Sequence, residues 1–314
     1  MQNPPTITAT SWLMVITLGL VWGATFMVIE IALTGITPFW LAAARIGFAT
    51  LLTLAVWGAR GFPLFLTTAR PWGMLAFIGA FSSAIPFILL GWGQQFVTSG
   101  FAGVSMAAVA LMVLPLAHFL IPGEAMTLRR LAGFLIGFAG VVILIGSQAF
   151  DSTGAALEPY GRLACIGAAA CYAVSSVNMR LLPPIDPIGL AAVPMLFGTA
   201  LVVPLAWTVE GPPPLPAPQT LLVLGFLGLV PTAGANLLRV LVVRSAGPVF
   251  MSLTNYQVPL WSVLLGVLIL NEPARPGLLI AMILILAGVF ISQWGALRRL
   301  FVRRPRPPAS APPA

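Results

Sequence analysis

The stretch "SLTNYQVPLW", Ser252 to Trp261, lies inside an apolar run that extends from about Val249 to Leu270. Thr254, Asn255, Tyr256 and Gln257 are four consecutive hydrogen-bonding side chains, and Pro259 follows them. In hydrocarbon an unsatisfied polar group is costly. A cluster at this depth must therefore meet other protein or a water-filled cavity. Four successive residues turn through about 300° on a helix, so they cannot all face one cavity. Two are expected to line it and two to bond to neighbouring helices. Thr254, Gln257 and Trp261 share one face; Ser252, Asn255, Tyr256 and Pro259 share the adjacent one, which we favour because Pro259 frees the carbonyl of Asn255, one turn earlier.

The rest of the chain repeats this apolar character. Of 314 residues, 59% are hydrophobic and 7% charged, and the mean hydropathy is +1.03. Soluble domains average roughly 25% charged residues; so few charges cannot cover a water-exposed surface, and the chain reads as a polytopic membrane protein. Runs of about 20 residues give expected spans at 11–33, 38–58, 71–94, 99–120, 128–148, 160–182, 187–209, 219–243, 247–270 and 275–296. The first run is expected to be retained as a span, since it lacks the basic flank of a cleavable signal peptide. The longest connections lie near Asp151 to Glu158 and at "EGPPPLPAPQ", Glu210 to Gln219, which is too proline-rich for a helix.

All positive charge comes from arginine, and no lysine occurs. The net charge of +8 does not point to nucleic acid, because the arginines lie in short breaks between apolar runs and in the tail "RRLFVRRPRPP". With a cytoplasmic N-terminus, Arg60, Arg70, Arg129, Arg130, Arg180, Arg244 and the five tail arginines face inward, while Arg162 and Arg275 face outward. That bias orients the chain with both termini cytoplasmic. Cys165 and Cys171, six apart on one helix, cannot form a disulfide and read as packing residues.

The chain also repeats internally. "LGLVWGATF" in span one matches "IGAAACYAVSS" in span six, with Trp22 and Thr25 opposite Tyr172 and Ser175. "ITPFWLAAARIGFATLL" resembles "IDPIGLAAVPMLFGTALV", and Pro115 in span four corresponds to Pro259 in span nine. Gly123–Glu124 parallels Asn271–Pro273, and each glutamate precedes a helical glycine, Gly140 or Gly288, by 16 residues. An odd number of spans per half makes the second half enter from the opposite side. The expected fold is thus all-α and integral to the membrane, with ten transmembrane helices as a 5+5 inverted-topology repeat and a binding site near the midplane. The expected units are 1–150, 151–298 and an Arg/Pro-rich cytoplasmic tail, 299–314, expected to be disordered.

These features, with "VWG" in span one, Pro38 and Arg45 in span two and the P…E…G landmarks closing each half, resemble the EamA-type drug/metabolite transporters over essentially the whole chain. Within them the sequence is most similar to YddG-type bacterial exporters of aromatic amino acids. One departure is that Pro115 to Glu124 is four residues shorter than Pro259 to Glu272. The resemblance implies a multi-pass protein of the bacterial inner (plasma) membrane, export as the direction, and a central cavity lined by spans one, three, four, six, eight and nine.

Polar and aromatic residues at mid-span form stripes. Tyr172, Ser175, Ser176 and Met179 share one face of span six, and Trp22, Thr25, Phe26 and Ile29 one face of span one. Span three contributes Ser82 and Ser83, and span eight Thr232, Asn236 and Arg239. Aligned on their prolines, "TNYQVP" in span nine faces "ALMVLP" in span four: one half is polar where the other is hydrocarbon. An amphipathic substrate follows. Its polar end would meet Asn255, Tyr256, Asn236 and Ser176, and its apolar end Met106, Met112, Trp22 and Phe26. Ser83 and Tyr172 complete the candidate set with Thr25. The competing reading is that such residues are interhelical glue.

Four ionisable groups in or near the spans are candidates for a charge or proton role. Glu30 and Arg45 lie toward the outer side, where they could pair; otherwise Arg45 snorkels to the interface. Arg239 either attracts a carboxylate or snorkels. His118, the sole histidine, either titrates or hydrogen-bonds at the interface. No Asp or Glu falls near a span centre, which favours facilitated diffusion over proton antiport. A lysine-free chain has no phosphate-binding G-x-x-x-x-G-K-[ST] loop. The seven carboxylates are scattered without metal-ligand spacing, so neither a cofactor nor a membrane enzyme is expected. Gly133, Gly137 and Gly140 allow close helix packing within a monomer, with a dimer face as the alternative.

Overall fold

A computed structural model describes residues 7–146 and 156–301. Among them ten helical rods follow one another: α1 (Ala9–Leu33), α2 (Pro38–Gly58), α3 (Trp72–Gly93), α4 (Ser99–Leu120), α5 (Leu128–Gly146), α6 (Glu158–Arg180), α7 (Pro187–Glu210), α8 (Pro218–Ala246), α9 (Val249–Leu270) and α10 (Pro276–Phe301). Nine are long and apolar enough to cross a membrane. The least apolar is α6, 23 residues long, which carries Glu158, Arg162 and Arg180. Large side chains such as Leu51, Leu222, Leu268 and Ile283 stand exposed, as lipid requires and water would not tolerate in such number. Asp151, the expected unit boundary at 150 and the tail from 302 onward lie outside the described residues. The last helix runs through Arg298 and Arg299, past its expected end at 296.

Helix ends are fixed by local chemistry. Pro38 and Pro187 each open a helix, where the missing N–H is no loss. Asp186 caps α7 by accepting from the Ile188 and Gly189 amides at 2.9 and 3.1 Å. Thr37 makes no side-chain cap bond to α2; instead Glu210, at the end of α7, accepts from the Phe39 and Trp40 amides.

Packing relates the two halves. The pairs α5–α10, α2–α7 and α4–α9 each join a helix to its counterpart five positions on. The remaining main pairs come in exchanged sets: α1–α9 with α4–α6, α3–α6 with α1–α8, and α2–α8 with α3–α7. Two glycines carry this correspondence to atomic detail. A Cβ on Gly79 would meet Pro194 O, Phe197 Cβ and Gly198 N at 2.5, 2.9 and 3.3 Å; one on Gly228 would meet Arg45 O, Phe48 Cβ and Ala49 N at 2.8, 2.4 and 3.4 Å. The glycines and all three neighbours match at one offset of 149 residues. The glycine face of α5 is filled from within the chain: Gly133 against Gly288 of α10, Gly137 against Leu111 of α4 and Gly140 against Ile285.

Both α3 and α8 widen into π-helical turns, at Ala80–Ala84 and Gly228–Gly234. Proline is the cause in α8: Pro231 cannot donate to the Leu227 carbonyl, and the Thr232 hydroxyl bonds it instead at 2.7 Å. In α3 the Ser83 hydroxyl, matched to Thr232, bonds Gly79 O at 2.7 Å.

Gly79→Ala and Gly228→Ala should each lower thermal stability in detergent, by about 1–3 kcal/mol from overpacking. Gly225→Ala, with open space around its Cβ position, should be neutral or stabilising by about 0.5–1 kcal/mol. Melting curves of the purified variants check this.

Candidate functional site

The opening cluster exists because α9 is interrupted. A four-residue helical turn, Pro248–Met251, gives way at Ser252 and Leu253 before the long segment Thr254–Leu270 begins. The Ser252 hydroxyl donates to Val249 O at 2.7 Å and contacts Gln293 Oε1 of α10 at 3.1 Å; the Thr254 hydroxyl donates to Met251 O at 2.9 Å. Gln257 and Trp261 press their Cβ atoms against Gly19 and Gly23 of α1. That contact occupies the Thr254–Gln257–Trp261 face. Asn255 is exposed on the adjacent face, and Tyr256 is half-buried there against the main core cluster. The Tyr256 hydroxyl is buried without a hydrogen-bond partner.

Phe26 belongs to that same core cluster, and Trp22, Met106, Met112 and Tyr172 pack against it with Tyr256. One apolar, aromatic and methionine-rich region thus joins α1, α4, α6 and α9. Trp22 Nε1 reaches across to α8, donating to Pro231 O at 3.0 Å in the π-helical turn. Asn236, one turn further, is half-buried and donates to Thr232 O at 2.6 Å. Ser176 is half-buried on α6. Thr25 and Ser83 differ from these: both are buried, and their hydroxyls bond carbonyls of their own helices, Val21 and Gly79. The Ser83 oxygen also lies 2.7 Å from where a Gly198 Cβ would stand, so its side chain serves helix contact.

The expected Glu30–Arg45 pairing does not form. Arg45 is 5% exposed, donates from Nε to Thr232 Oγ1 at 2.8 Å and lies over the Phe87 ring, 3.7 Å from its centroid. It thereby bridges α8 and α3 from its position on α2, and its counterpart on α7 is Pro194. Neither burial nor bonding is compatible with snorkelling. Glu30 lies instead near Glu272, just past α9, and the Ser99 amide. Arg239 is half-buried, and no ion pair among the described residues includes it. His118 is exposed at the end of α4, with Nδ1 3.1 Å from Glu124 O and 3.3 Å from the Met126 amide nitrogen. A pocket of about 390 Å³ is lined by His118 to Ala125, beside the Glu124–Arg130 ion pair at 2.8 Å.

Sequence reasoning missed two polar contacts. Arg162, read as an outward-facing charge at the start of span six, is 2% exposed; it pairs with Glu158 and reaches the carbonyls of Leu144 and Ile145 at the end of α5. The i,i+4 spacing of Glu158 and Arg162 is the signal that could have found it. Thr232 as the partner of Arg45 had no such signal, since the two lie 187 residues apart.

Two copies of a single family profile, the EamA-like transporter family, match residues 10–146 and 159–294. The chain belongs to the EamA-like transporter family. It is accordingly a secondary transporter of small metabolites rather than an enzyme, and no metal-binding group of His, Cys, Asp and Glu occurs among the described residues. Among similar proteins, an uncharacterized transporter of Archaeoglobus fulgidus is 26% identical over 87% of this chain and 93% of its own length. The uncharacterized inner membrane transporter YedA of Escherichia coli K12 is 27% identical over 79% of this chain and 78% of its own. A probable terminal-alkyne amino-acid exporter of Streptantibioticus cattleyicolor is 31% identical over 46% and 48%. A solved crystal structure shares the fold with a TM-score of 0.64 at 24% identity, covering 94% of this chain and all of that one.

Replacing Thr232 with Val should strip the buried Arg45 of its acceptor and destabilise this EamA-family chain by about 1–3 kcal/mol or more, whereas Thr232→Ser should retain most of the stability. Melting temperatures of the two variants decide between them.

Proposed function

We propose that this chain exports amphipathic amino acids with large apolar or aromatic side chains, by alternating access and as a facilitator. Two five-helix units, 1–150 and 151–298, inserted in opposite senses, would rock about the exchanged helix pairs, with the substrate held between them near the midplane. The exchanged packing, the 149-residue correspondence of Gly79 and Gly228, and the double family match support that arrangement. The bacterial inner membrane with both termini cytoplasmic is the location this reading requires. The arginine distribution favours it, as does the inner-membrane relative YedA.

One observation carries the substrate class: the unpartnered hydroxyl of Tyr256, whose side chain packs against the same core cluster, containing Phe26, as Trp22, Met106 and Tyr172 do. A polar atom without a partner, set in an aromatic and methionine-rich region, suits a ligand with a charged head and an apolar body. Asn255, Asn236 and Ser176 would meet the head; Thr25 and Ser83 would support the helices around it. The amino-acid exporter among the similar proteins leans the same way. A second reading, proton antiport of drugs or other metabolites, is favoured by Glu30, whose buried oxygen lacks a hydrogen-bond partner.

In proteoliposomes, phenylalanine, tryptophan and methionine should show saturable flux that an imposed pH gradient does not drive uphill; dye flux driven by protons would favour the second reading instead. Tyr256→Phe should reduce kcat/KM for the preferred amino acid about 10-fold or more, the loss of one hydrogen bond to a charged group, with expression intact. Unchanged kinetics in both Tyr256→Phe and Asn255→Ala would remove α9 from the site. On a background lacking both cysteines, Pro213→Cys should react with an impermeant maleimide in intact cells, and Phe62→Cys should not.

A further inference from the structure

At the end of the bundle where α4 begins, four oxygen-bearing side chains gather from two helices, α1 and α4, and from the segments that follow α3 and α9. Glu272, just past α9, accepts from the amides of Ser99 and Gly100 at 2.8 and 3.1 Å, so its charge is met by the N-terminus of α4. Glu30 of α1 faces the same Ser99 amide and lies within electrostatic reach of Glu272. One helix N-terminus therefore holds two carboxylates, and only Glu272 takes both amides.

The decisive observation concerns the atoms left over. Glu30 Oε2, Ser99 Oγ and Gln94 Oε1 are all buried without a hydrogen-bond partner. Ser99 is 0% and Gln94 3% exposed. Ser99 Oγ and Glu272 Oε2 point to one spot, 2.9 and 2.5 Å from where a Gly266 Cβ would stand, and the absence of that Cβ leaves room for them. Gln94 is held by its amide nitrogen, which donates to Phe26 O at 2.8 Å, one turn before Glu30 on α1. Its carbonyl oxygen is thus the free end.

The unsatisfied atoms are a carboxylate oxygen, an amide oxygen and a hydroxyl. Two of these only accept hydrogen bonds and the third does so readily. Such a set lacks what an anion needs and has what a small hard cation needs. Two arginines at this end of the bundle do not fill this role. Arg162 of α6, above Phe101, pairs with Glu158, and no ion pair joins Arg275, at the start of α10, to either carboxylate.

We propose that Glu30, Gln94 and Ser99, backed by Glu272, form a binding site for a small monovalent cation, a proton or Na⁺, that ties α1, α4 and α9 together at this end of the bundle. Under the proposed orientation this is the outer gate, so the cation favours the state closed to the outside. That gating role rests on the alternating-access reading; the binding itself does not. Ion dependence then resides at the gate, away from the mid-span substrate region, which has no carboxylate.

Thermal melting of the purified full-length protein tests the site without any transport measurement, so failure of the transport reading and failure of the site are distinguishable. Melting curves are taken across pH at fixed ionic strength, and with NaCl against choline chloride. Glu30→Gln supplies its own N–H donors to the orphaned oxygens and imitates the occupied site. With a proton as occupant, wild-type Tm rises by about 2–4 °C or more as pH falls, NaCl has no specific effect, and Glu30→Gln stays high and flat. With Na⁺, Tm rises saturably with NaCl but not choline chloride, and Glu30→Gln loses that rise. Either outcome supports the site. A wild type indifferent to both ions, or a dependence that survives in Glu30→Gln, overturns it. If Glu30→Gln does not fold, carbodiimide labelling of the wild type mapped by peptide mass spectrometry takes its place. Labelling at Glu30 that rises as pH falls, or that NaCl suppresses, supports the site; labelling indifferent to both overturns it.

Discussion

Hydrocarbon offers no hydrogen bonds, and that constraint organises the polar chemistry of this chain. Two breaks in helical regularity, at Pro231 and at Ser252–Leu253, are met by nearby hydroxyl donors. Pro231 forfeits a bond to Leu227 O, and Thr232 takes over that carbonyl. The same Thr232 oxygen then accepts from Arg45, and Pro231 O accepts from Trp22. A single proline thereby creates a polar node linking α1, α2 and α8. Ser252 and Thr254 do the same for the break in α9. The polar groups of "SLTNYQVPLW" thus divide in two: those that repair the backbone and those left facing outward from it.

Symmetry and asymmetry have separate carriers. Gly79 and Gly228 meet equivalent backbone on the opposite half, because close approach depends on small residues and helix geometry that both halves share. Side chains on the same scaffold diverge. Arg45 stands opposite Pro194, Phe87 opposite Asn236, and "ALMVLP" opposite "TNYQVP". A duplicated frame with unequal linings is what an amphipathic ligand calls for, since its two ends differ. The same logic separates the helix-end carboxylates: Glu272 caps a helix of the other half, while Glu124 is taken up by Arg130 and Arg180.

The helices themselves were legible because hydropathy over about 20 residues is a strong, local signal. Helix starts at Pro38, Ser99 and Pro187 coincide with the expected ones. The end of α10 was not, since Arg298 and Arg299 read as a tail while the helix continues through them. Side-chain partners were the least legible. Arg45 looked like a match for Glu30 because both lie toward one side of the membrane. Depth along a helix, however, says nothing about azimuth, and Arg45 faces α8 while Glu30 faces α4 and α9.

Composition, periodicity and repetition by themselves determined that this is a helical membrane protein with repeated landmarks and where each helix runs, because burial in lipid is dictated residue by residue along the chain. Only the tertiary structure decided which polar atoms meet. Arg45 and Thr232 lie 187 residues apart, and Ser99 and Glu272 173 apart. Such contacts depend on how helices rotate about their axes when they pack, and rotation is set jointly by all the neighbours of a helix.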